Sequence, residues 1–204
     1  MKVMKFGGTS AGTPESMLLV KNIIEAEKEP VIVVVSALGG VTDRLLLAAD
    51  FALNANPGYQ SILEEIIFRH EEMIGKMVVS AVDQRELKRK IDPMFEDLRN
   101  ILRGVYLIGD LSQKTSDKIV SYGERFSSLI VSKIIDGARV YDSTQFIKTT
   151  KQFSHHIPDI AYSNELIKQA FLSEPLPKVA IVPGFISSSK EGDDITNLGR
   201  GGSD

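Results

Sequence analysis

The residues that could do chemistry first appear at the N-terminal end of the chain, in the sequence VMKFGGTS at residues 3–10. Lys5 lies in a short apolar run that ends in two glycines, followed by the hydroxyl residues Thr9 and Ser10. Glycines let a ligand come close to main-chain N–H groups, and hydroxyl groups can cap a helix that starts near Pro14. This stretch predicts a strand that places the Lys5 ammonium group next to an anion-binding turn. The structural alternative is an ordinary strand-to-helix turn with a solvated lysine.

Three further stretches carry polar residues near glycines. Residues 36–43 (SALGGVTD) repeat the pattern of the first turn, residues 122–128 (YGERFSS) contain Glu124, and residues 198–204 (LGRGGSD) form a loop with Arg200. Arginine can hold a carboxylate, glutamate can hold an ammonium group, and lysine with backbone N–H groups can stabilise a phosphoryl group during transfer. Together the stretches indicate a mixed site for an anion and an ammonium group.

Each polar residue also has a plain structural interpretation. Glu124 and Arg125 could form a solvated helix pair, Arg200 could be a turn cation, and Thr42 could be a helix N-cap. The prediction of chemistry therefore depends on the whole set of candidates. The set comprises Lys5, Ser36, Thr42, Glu124, Arg200, Ser203 and Asp204.

Several common site signatures are absent from the sequence. Thr13 stands where a P-loop requires lysine, and no G-x-G-x-x-G follows either early strand, which argues against Walker-type and dinucleotide sites. His155 and His156 are adjacent and lack the helical spacing of metal ligands, so we expect solvated loop histidines. The absence of cysteine excludes disulfides, thiol catalysis and thiolate-bound metal. We therefore expect no metal site formed by the protein itself.

The elements that would position these residues follow a strand–helix–strand order. Residues 14–27 have apolar residues at helical spacing, and Pro30 ends that helix. The run VIVVV at residues 31–35 is β-branched without alternation, which is typical of a strand buried on both faces. Such a βαβ unit predicts a parallel sheet, with the two early turns at its carboxyl edge.

The rest of the chain is predicted to be mainly helical, with short strands. We expect a helix that starts at the second turn, runs through residues 45–51 and ends at residues 56–58. Further helices are expected at residues 59–77, 81–103, 116–136 and 162–171, strands at 139–142, 145–147 and 179–182, a loop at 151–159 and a hairpin at 190–194. Pro93 predicts a break or kink near Asp92. Gly123 lies inside a predicted helix, where glycine costs up to about 1 kcal/mol relative to alanine. We therefore expect another group to approach the backbone closely at Gly123.

Composition and charge are those of an ordinary globular protein. Of the 204 residues, 43% are hydrophobic and 25% are charged. The length is enough for one substantial domain and leaves room for a small second one. The net charge of −3 argues against a nucleic acid or an anionic membrane as partner. The longest aliphatic run, at residues 31–35, is too short to span a bilayer. We expect a soluble cytoplasmic protein.

The four stretches together resemble those of the aspartate kinases, within the amino acid kinase family. The motifs K-F-G-G-T-S and G-R-G-G-S-D carry the resemblance, which covers essentially the whole chain. It implies an α/β fold, a three-layer αβα sandwich with a mostly parallel central sheet, in which an N-terminal lobe binds the amino acid and a C-terminal lobe binds ATP. The implied reaction transfers the γ-phosphoryl group of ATP, with Mg²⁺ carried by the nucleotide, to the β-carboxylate of L-aspartate. This is the first step of lysine, threonine and methionine biosynthesis.

The resemblance also implies a role for each matched residue. Lys5 would stabilise the charge on the transferring phosphoryl group, and Asp204 would organise Lys5. Glu124 would bind the substrate ammonium group and Arg200 the α-carboxylate. The other matched residues are Gly7, Gly8 and Thr9, which would form the phosphate loop, and Ser36, Thr42 and Ser203, which would complete the aspartate pocket. A carboxylate is already nucleophilic, so the reaction needs positioning and charge neutralisation more than a general base.

The resemblance implies that residues 1–204 form only the amino-acid-binding lobe. The ATP lobe, the regulatory ACT domains and any fused homoserine dehydrogenase would lie outside this sequence, and the isolated chain is expected to be inactive. Ala11 stands where many relatives have valine, which is a modest departure. We expect exposed apolar surface and open strand edges, or their cover by another copy, and a homo-oligomer for the complete enzyme.

Two other functions stay open at this point. One is a non-catalytic module that binds aspartate or an anion, or that only self-associates. The other is a relative that phosphorylates glutamate, a nucleoside monophosphate or carbamate, although the YGERFSS stretch argues against it.

Overall fold

The structure, a computed structural model, describes residues 2–152, 155–172, 175–192 and 194–199. The strands in these ranges are β1 (Lys2–Phe6), β2 (Val31–Val35), β3 (Ala138–Val140), β4 (Lys148–Gln152), β5 (His155–Pro158), β6 (Val179–Pro183), β7 (Ile186–Ser189) and β8 (Ile195–Asn197). The helices are α1 (Pro14–Glu25), α2 (Val41–Leu53), α3 (Tyr59–Met77), α4 (Ala81–Ile108), α5 (Gln113–Ile134) and α6 (Ile160–Leu172). None of the helices in the described ranges combines the length and the apolar character needed to cross a membrane.

The main sheet contains four parallel strands in the order β1-β2-β6-β3. Val33 in β2 pairs with Met4 of β1 on one side and with Ile181 of β6 on the other. Parallel neighbours require crossover connections, and here helices supply them. The predicted parallel sheet is confirmed, and the carboxyl ends of β1 and β2 lie side by side.

Different helices cover the two faces of the main sheet, which confirms the three-layer αβα arrangement. Val31, Val33 and Val35 of β2 pack with residues of α1 to α5 in the larger core. Ile32 points to the opposite face and packs with Phe171 of α6 in a smaller core. Because successive side chains of a strand alternate between faces, β2 is buried on both sides, as its β-branched run predicts.

A second, smaller sheet was not predicted from the sequence. It has the order β5-β4-β7-β8, with β4 antiparallel to β5 and parallel to β7. The loop predicted at residues 151–159 is therefore wrong, because Lys151 in β4 pairs with His156 in β5. The sequence of β4, KTTKQ, has no apolar alternation, so its partners determine the strand. The antiparallel pair of β7 and β8 confirms the hairpin around residues 190–194.

Two local predictions about turns and caps are wrong. Instead of a strand at residues 145–147, Ser143–Gln145 form a turn of 3₁₀ helix, which Asp142 caps by accepting the N–H of Thr144 at 3.0 Å. The N-cap of α1 is Thr13 rather than Thr9 or Ser10. Thr13 and Ser16 each accept the other's backbone N–H, at 3.2 and 3.1 Å, which is a capping box.

A break or kink was predicted near Asp92, and helix α4 continues through Pro93 without a break. Pro93 is exposed, whereas Ile91 and Phe95 on either side of it are buried in the larger core. An interior proline disfavours a helix by about 3 kcal/mol. The packing of the neighbouring apolar side chains outweighs that cost, so the helix is retained.

Helix α1 and strand β1 leave apolar surface uncovered in the part of the chain that the structure describes. Leu19 of α1 is 64% exposed and Val3 of β1 is 61% exposed, and Leu18 and Ile23 are also exposed. Strand β1 lies at the edge of the main sheet. Within the described residues, this agrees with the expected exposed apolar surface and open strand edge.

Candidate active site

Two turns meet at the carboxyl edge of the main sheet, where β1 and β2 end. The N–H of Ser36 donates to the carbonyl oxygen of Phe6 at 3.2 Å and joins the two turns. Their glycines pack backbone to backbone, because a Cβ on Gly39 would lie 2.8 Å from the carbonyl oxygen of Gly8. A Cβ on Gly7 would meet no described atom within 4 Å. The packing of the two turns therefore requires glycine at position 39. At position 7, no described residue fills the space next to the backbone.

We expect Gly39→Ala to lower the free energy of unfolding by about 1–3 kcal/mol, the range found for overpacking substitutions. The new methyl group would overlap a backbone oxygen, which cannot rotate away. Gly7→Ala is the matched control, and its effect should stay within about 1 kcal/mol. Urea unfolding followed by circular dichroism measures both changes. Equal stabilities for the two variants would contradict this packing.

Helix α5 lies against the second turn and comes closest to it at Gly123. A Cβ at this position would lie 2.7 Å from the Cβ of Ala37. The close approach expected from a glycine inside a helix is therefore found. One turn later, the Ser127 hydroxyl donates to the carbonyl oxygen of Ser36 at 2.7 Å. A steric contact and a hydrogen bond thus align the helix with the turn.

Glu124 directs its carboxylate to the same turn and is only 3% exposed. Its Oε1 accepts the N–H of Ala37 at 3.2 Å. Its Oε2 is buried and has no hydrogen-bond partner among the described residues. Burial raises the pKa of Glu124 to about 7, against the opposing effect of the Ala37 N–H. Because a buried carboxylate is costly unless it is paired, Glu124 is suited to accept a ligand ammonium group.

The solvated pair of Glu124 and Arg125 considered from the sequence is wrong. The guanidinium of Arg125 lies over the ring of Tyr122, 4.9 Å from its centroid. The Tyr122 hydroxyl donates a hydrogen bond to Asp97 of α4. These two neighbours of Glu124 in the motif therefore take part in other contacts, with each other and with α4.

A cavity of about 720 Å³ lies between α2, α5 and the end of β8. Thr42 lines it from the first turn of α2, and Leu198 and Gly199 line it from the beginning of the glycine-rich segment. Thr42 is not the N-cap of α2, because Gly40 takes that position with a φ of 79°. Lys5, Ser36 and Glu124 are not among the described residues that line this cavity.

The structure describes the positions of only some of the predicted site residues. Glu124 accepts the N–H of Ala37, the residue after Ser36, and exposed Lys5 pairs with Val34 near the end of β1. Thr42 belongs to the cavity. The remaining predicted substrate and catalytic residues, Arg200, Ser203 and Asp204, lie outside the described residues. Within the described ranges, no three His, Asp or Glu side chains form a group that could hold a metal ion.

Sequence reasoning missed two residues at this cavity, Asp117 and Asn197. Asp117 is 7% exposed, and burial raises its pKa, although Gln113 and Asn197 donate to it. A signal was present, because Asp117 precedes Glu124 by two helical turns and shares its face of α5. No sequence pattern singled out Asn197, because asparagine near glycines is common in turns.

Comparisons with known proteins agree on one family. The model of the amino acid kinase family matches residues 1–204. Chloroplastic aspartokinase 1 of Arabidopsis thaliana is 31% identical over 213 residues, which cover 99% of this chain and 36% of that protein. The aspartokinase of Chlamydia muridarum is 32% identical over 206 residues, which cover 99% of this chain and 43% of that protein.

A solved structure supports the same relationship. The crystal structure of Escherichia coli aspartokinase III in complex with aspartate and ADP matches with a TM-score of 0.84 and 28% identity. The match covers 100% of this chain and 44% of that one. The chain therefore spans between about a third and just under half of the length of these relatives.

Proposed function

Since this chain belongs to the amino acid kinase family, we propose that its protein is an ATP-dependent aspartate kinase. The reaction would transfer the γ-phosphoryl group of ATP to the β-carboxylate of L-aspartate and give 4-phospho-L-aspartate. The relatives named above are all aspartokinases, and one of them is described in complex with aspartate and ADP. In this proposal, residues 1–204 form the lobe that binds the amino acid.

The observation that carries the proposal is the carboxylate of Glu124. It is buried at the carboxyl edge of a parallel sheet, where ligands bind in α/β proteins, and one of its oxygens has no partner among the described residues. A substrate ammonium group would provide that partner and would lower the pKa of the carboxylate again. The attraction between the two charges would be stronger here than in water, because the site is shielded from solvent.

The phosphate side of the site would be formed by the first turn. Gly7 leaves room for a ligand close to the main chain, and Lys5 carries its charge near the end of β1, the strand that leads into this turn. MgATP would supply the phosphoryl group, with the magnesium ion carried by the nucleotide. Lys5 would then stabilise the negative charge that develops during transfer, and Gly7, Gly8 and Thr9 would hold the phosphate oxygens.

Several parts of the proposal extend beyond the described residues. Arg200 would bind the α-carboxylate of aspartate, Ser203 would contribute to the same pocket, and Asp204 would organise Lys5. Assembly into a homo-oligomer and a cytoplasmic location also remain predictions.

A hydroxamate assay tests the proposed activity. The full-length protein, incubated with MgATP, L-aspartate and hydroxylamine, should form aspartyl hydroxamate, because hydroxylamine traps the acyl phosphate. Glutamate and carbamate in place of aspartate should give less than about a tenth of that turnover. Phosphorylation of a nucleoside monophosphate, the remaining alternative, is measured by the release of ADP. A larger turnover with any of these acceptors would contradict the assignment of aspartate as substrate.

A further inference from the structure

Asp117 lies at the point where helix α5 meets the end of strand β8. Seven residues separate it from Glu124, so both side chains project from the same face of the helix. Its Oδ1 accepts two amide N–H groups, from Gln113 at 2.8 Å and from Asn197 at 3.1 Å. The Asn197 amide also lies 3.4 Å from the backbone carbonyl oxygen of Asp117. A carboxylate and a carbonyl group of one residue thus hold one side-chain amide.

The chemistry of the pair fixes the orientation of Asn197. A carboxylate can only accept hydrogen bonds, so the amide must present its NH₂ group to Asp117 and its oxygen to the other side. That oxygen is buried and accepts no hydrogen bond from any described residue. Hydrogen bonds to an ionised acceptor are roughly twice as strong as neutral ones, which makes Asp117 a firmer anchor than an amide would be.

Asn197 is the last residue of β8 and leads directly into the glycine-rich segment. On its other side, β8 is held by β7, where Asn197 pairs with Ile186 and the N–H of Leu198 donates to the carbonyl oxygen of Phe185 at 2.9 Å. The contact with Asp117 therefore connects this end of β8 to the helix that carries Glu124. Both residues also line the cavity that contains Thr42.

We propose that Asp117 is a positioning residue, which through Asn197 holds the end of β8, with Leu198 and Gly199, at a fixed place relative to Glu124. The inference rests on the proposed function, since Glu124 and the glycine-rich segment would there hold the ammonium group and the α-carboxylate of the same substrate. Two protein groups that bind the ammonium group and the α-carboxylate of one amino acid must keep a fixed separation. A small displacement of either protein group weakens both contacts. Asp117 would thus determine affinity for the amino acid without touching it.

The kinetic test uses Asp117→Asn and Asn197→Ala in the full-length protein. Each should raise KM for aspartate about tenfold, while kcat and KM for ATP change less than about threefold. The double variant should be no worse than either single one, because both break the same contact. An aspartate KM within twofold of the wild-type value in both single variants would overturn the proposal. A fall in kcat together with equal rises in KM for aspartate and for ATP would also overturn it.

The chain offers a matched control between the same two elements. Lys114 of α5 forms an ion pair of 2.6 Å with Asp194, just before β8, and both side chains are substantially exposed. Exposed pairs contribute little, so Lys114→Ala should leave KM for aspartate unchanged. A rise equal to that in Asp117→Asn would assign the effect to the general attachment of β8 and would overturn a specific role for Asp117.

Hydrogen exchange tests the positioning independently of any activity. In Asp117→Asn, the amide of Leu198 should exchange at least about tenfold faster, while the amide of Ala37 keeps its wild-type rate. Unchanged exchange at Leu198 would overturn the inference even in an active kinase. Faster exchange in a protein that phosphorylates no aspartate would contradict the proposed function but leave the structural contact standing.

Discussion

Replacing Glu124 by glutamine is expected to lower kcat/KM for aspartate at pH 8 by about 10- to 100-fold, which corresponds to the loss of a hydrogen bond between charged groups. Glutamine keeps an oxygen that can accept the N–H of Ala37, so the contact between helix and turn is retained. What is removed is the negative charge that would face the substrate ammonium group. The measurement is hydroxamate formation by the full-length protein over a range of aspartate concentrations.

The pH dependence gives this prediction a second readout. The pKa of Glu124 is raised to about 7, so the carboxylate becomes ionised as pH rises through that value. Since kcat/KM reports groups of the free enzyme, kcat/KM for aspartate should increase between pH 6 and pH 8 in the wild type. This increase should be missing in Glu124→Gln. A variant with the wild-type profile would show that another group produces it.

Stability should change in the opposite direction from activity. The pKa of Glu124 is higher in the folded protein than its ordinary value of 4.5, so the folded state binds more protons between these values and loses stability as pH rises. The shift corresponds to about 3 kcal/mol. Between pH 4 and pH 8, the stability of Glu124→Gln relative to the wild type should therefore rise by up to about that amount.

Glu165 provides the control for this substitution, because it is an exposed carboxylate on α6. Glu165→Gln should alter neither kcat/KM nor the pH dependence of unfolding, as expected for a surface position. A Glu124→Gln variant that binds aspartate normally and is destabilised at every pH would assign the residue a purely structural role.

Replacing Lys5 by alanine is expected to lower kcat by about 10²- to 10³-fold, the usual effect of removing a group that stabilises transition-state charge. Lys5 is exposed near the end of β1, next to the turn that contains Gly7. The unfolding free energy should change by less than about 1 kcal/mol, because Lys5 is exposed. The loss should persist at saturating aspartate and ATP, because in the proposed role the charge would act mainly during transfer.

Lys2 is the matched control on the same strand. It forms an exposed ion pair with Glu27 at 2.6 Å and lies at the opposite end of β1. Lys2→Ala should therefore keep kcat within about twofold of the wild type, because exposed pairs contribute little. A Lys5→Ala variant with kcat within fivefold of the wild type would contradict the role proposed for Lys5.

Most of the main sheet and part of the site could be predicted from local patterns. The unbroken β-branched run at residues 31–35 indicates burial on both faces, and parallel pairing follows from the helix between the first two strands. Gly123 predicted a close contact with the backbone, because glycine inside a helix lowers stability relative to alanine. In each case the physical cause acts within a few residues of the chain, so the sequence carries it directly.

Other features depend on partners that are distant in sequence. The strand β4 has no apolar alternation of its own, and α4 passes through Pro93 because buried neighbours hold it. Local rules therefore predicted a loop in the first case and a break in the second. Here the energy of packing or pairing exceeds the local preference, and no window of the sequence contains that energy.

By itself, the sequence determined the residue types available for chemistry: a lysine at the end of a strand, glycine turns beside it, and a glutamate within a helix. Only the tertiary structure decided the environment of the Glu124 carboxylate. Its partner Ala37 lies 87 residues away, and their meeting buries the carboxylate and leaves one oxygen without a described partner. The contact of Asp117 with Asn197 spans 80 residues in the same way. Burial and pairing are properties of positions in space, and the folded chain creates them by bringing distant residues together.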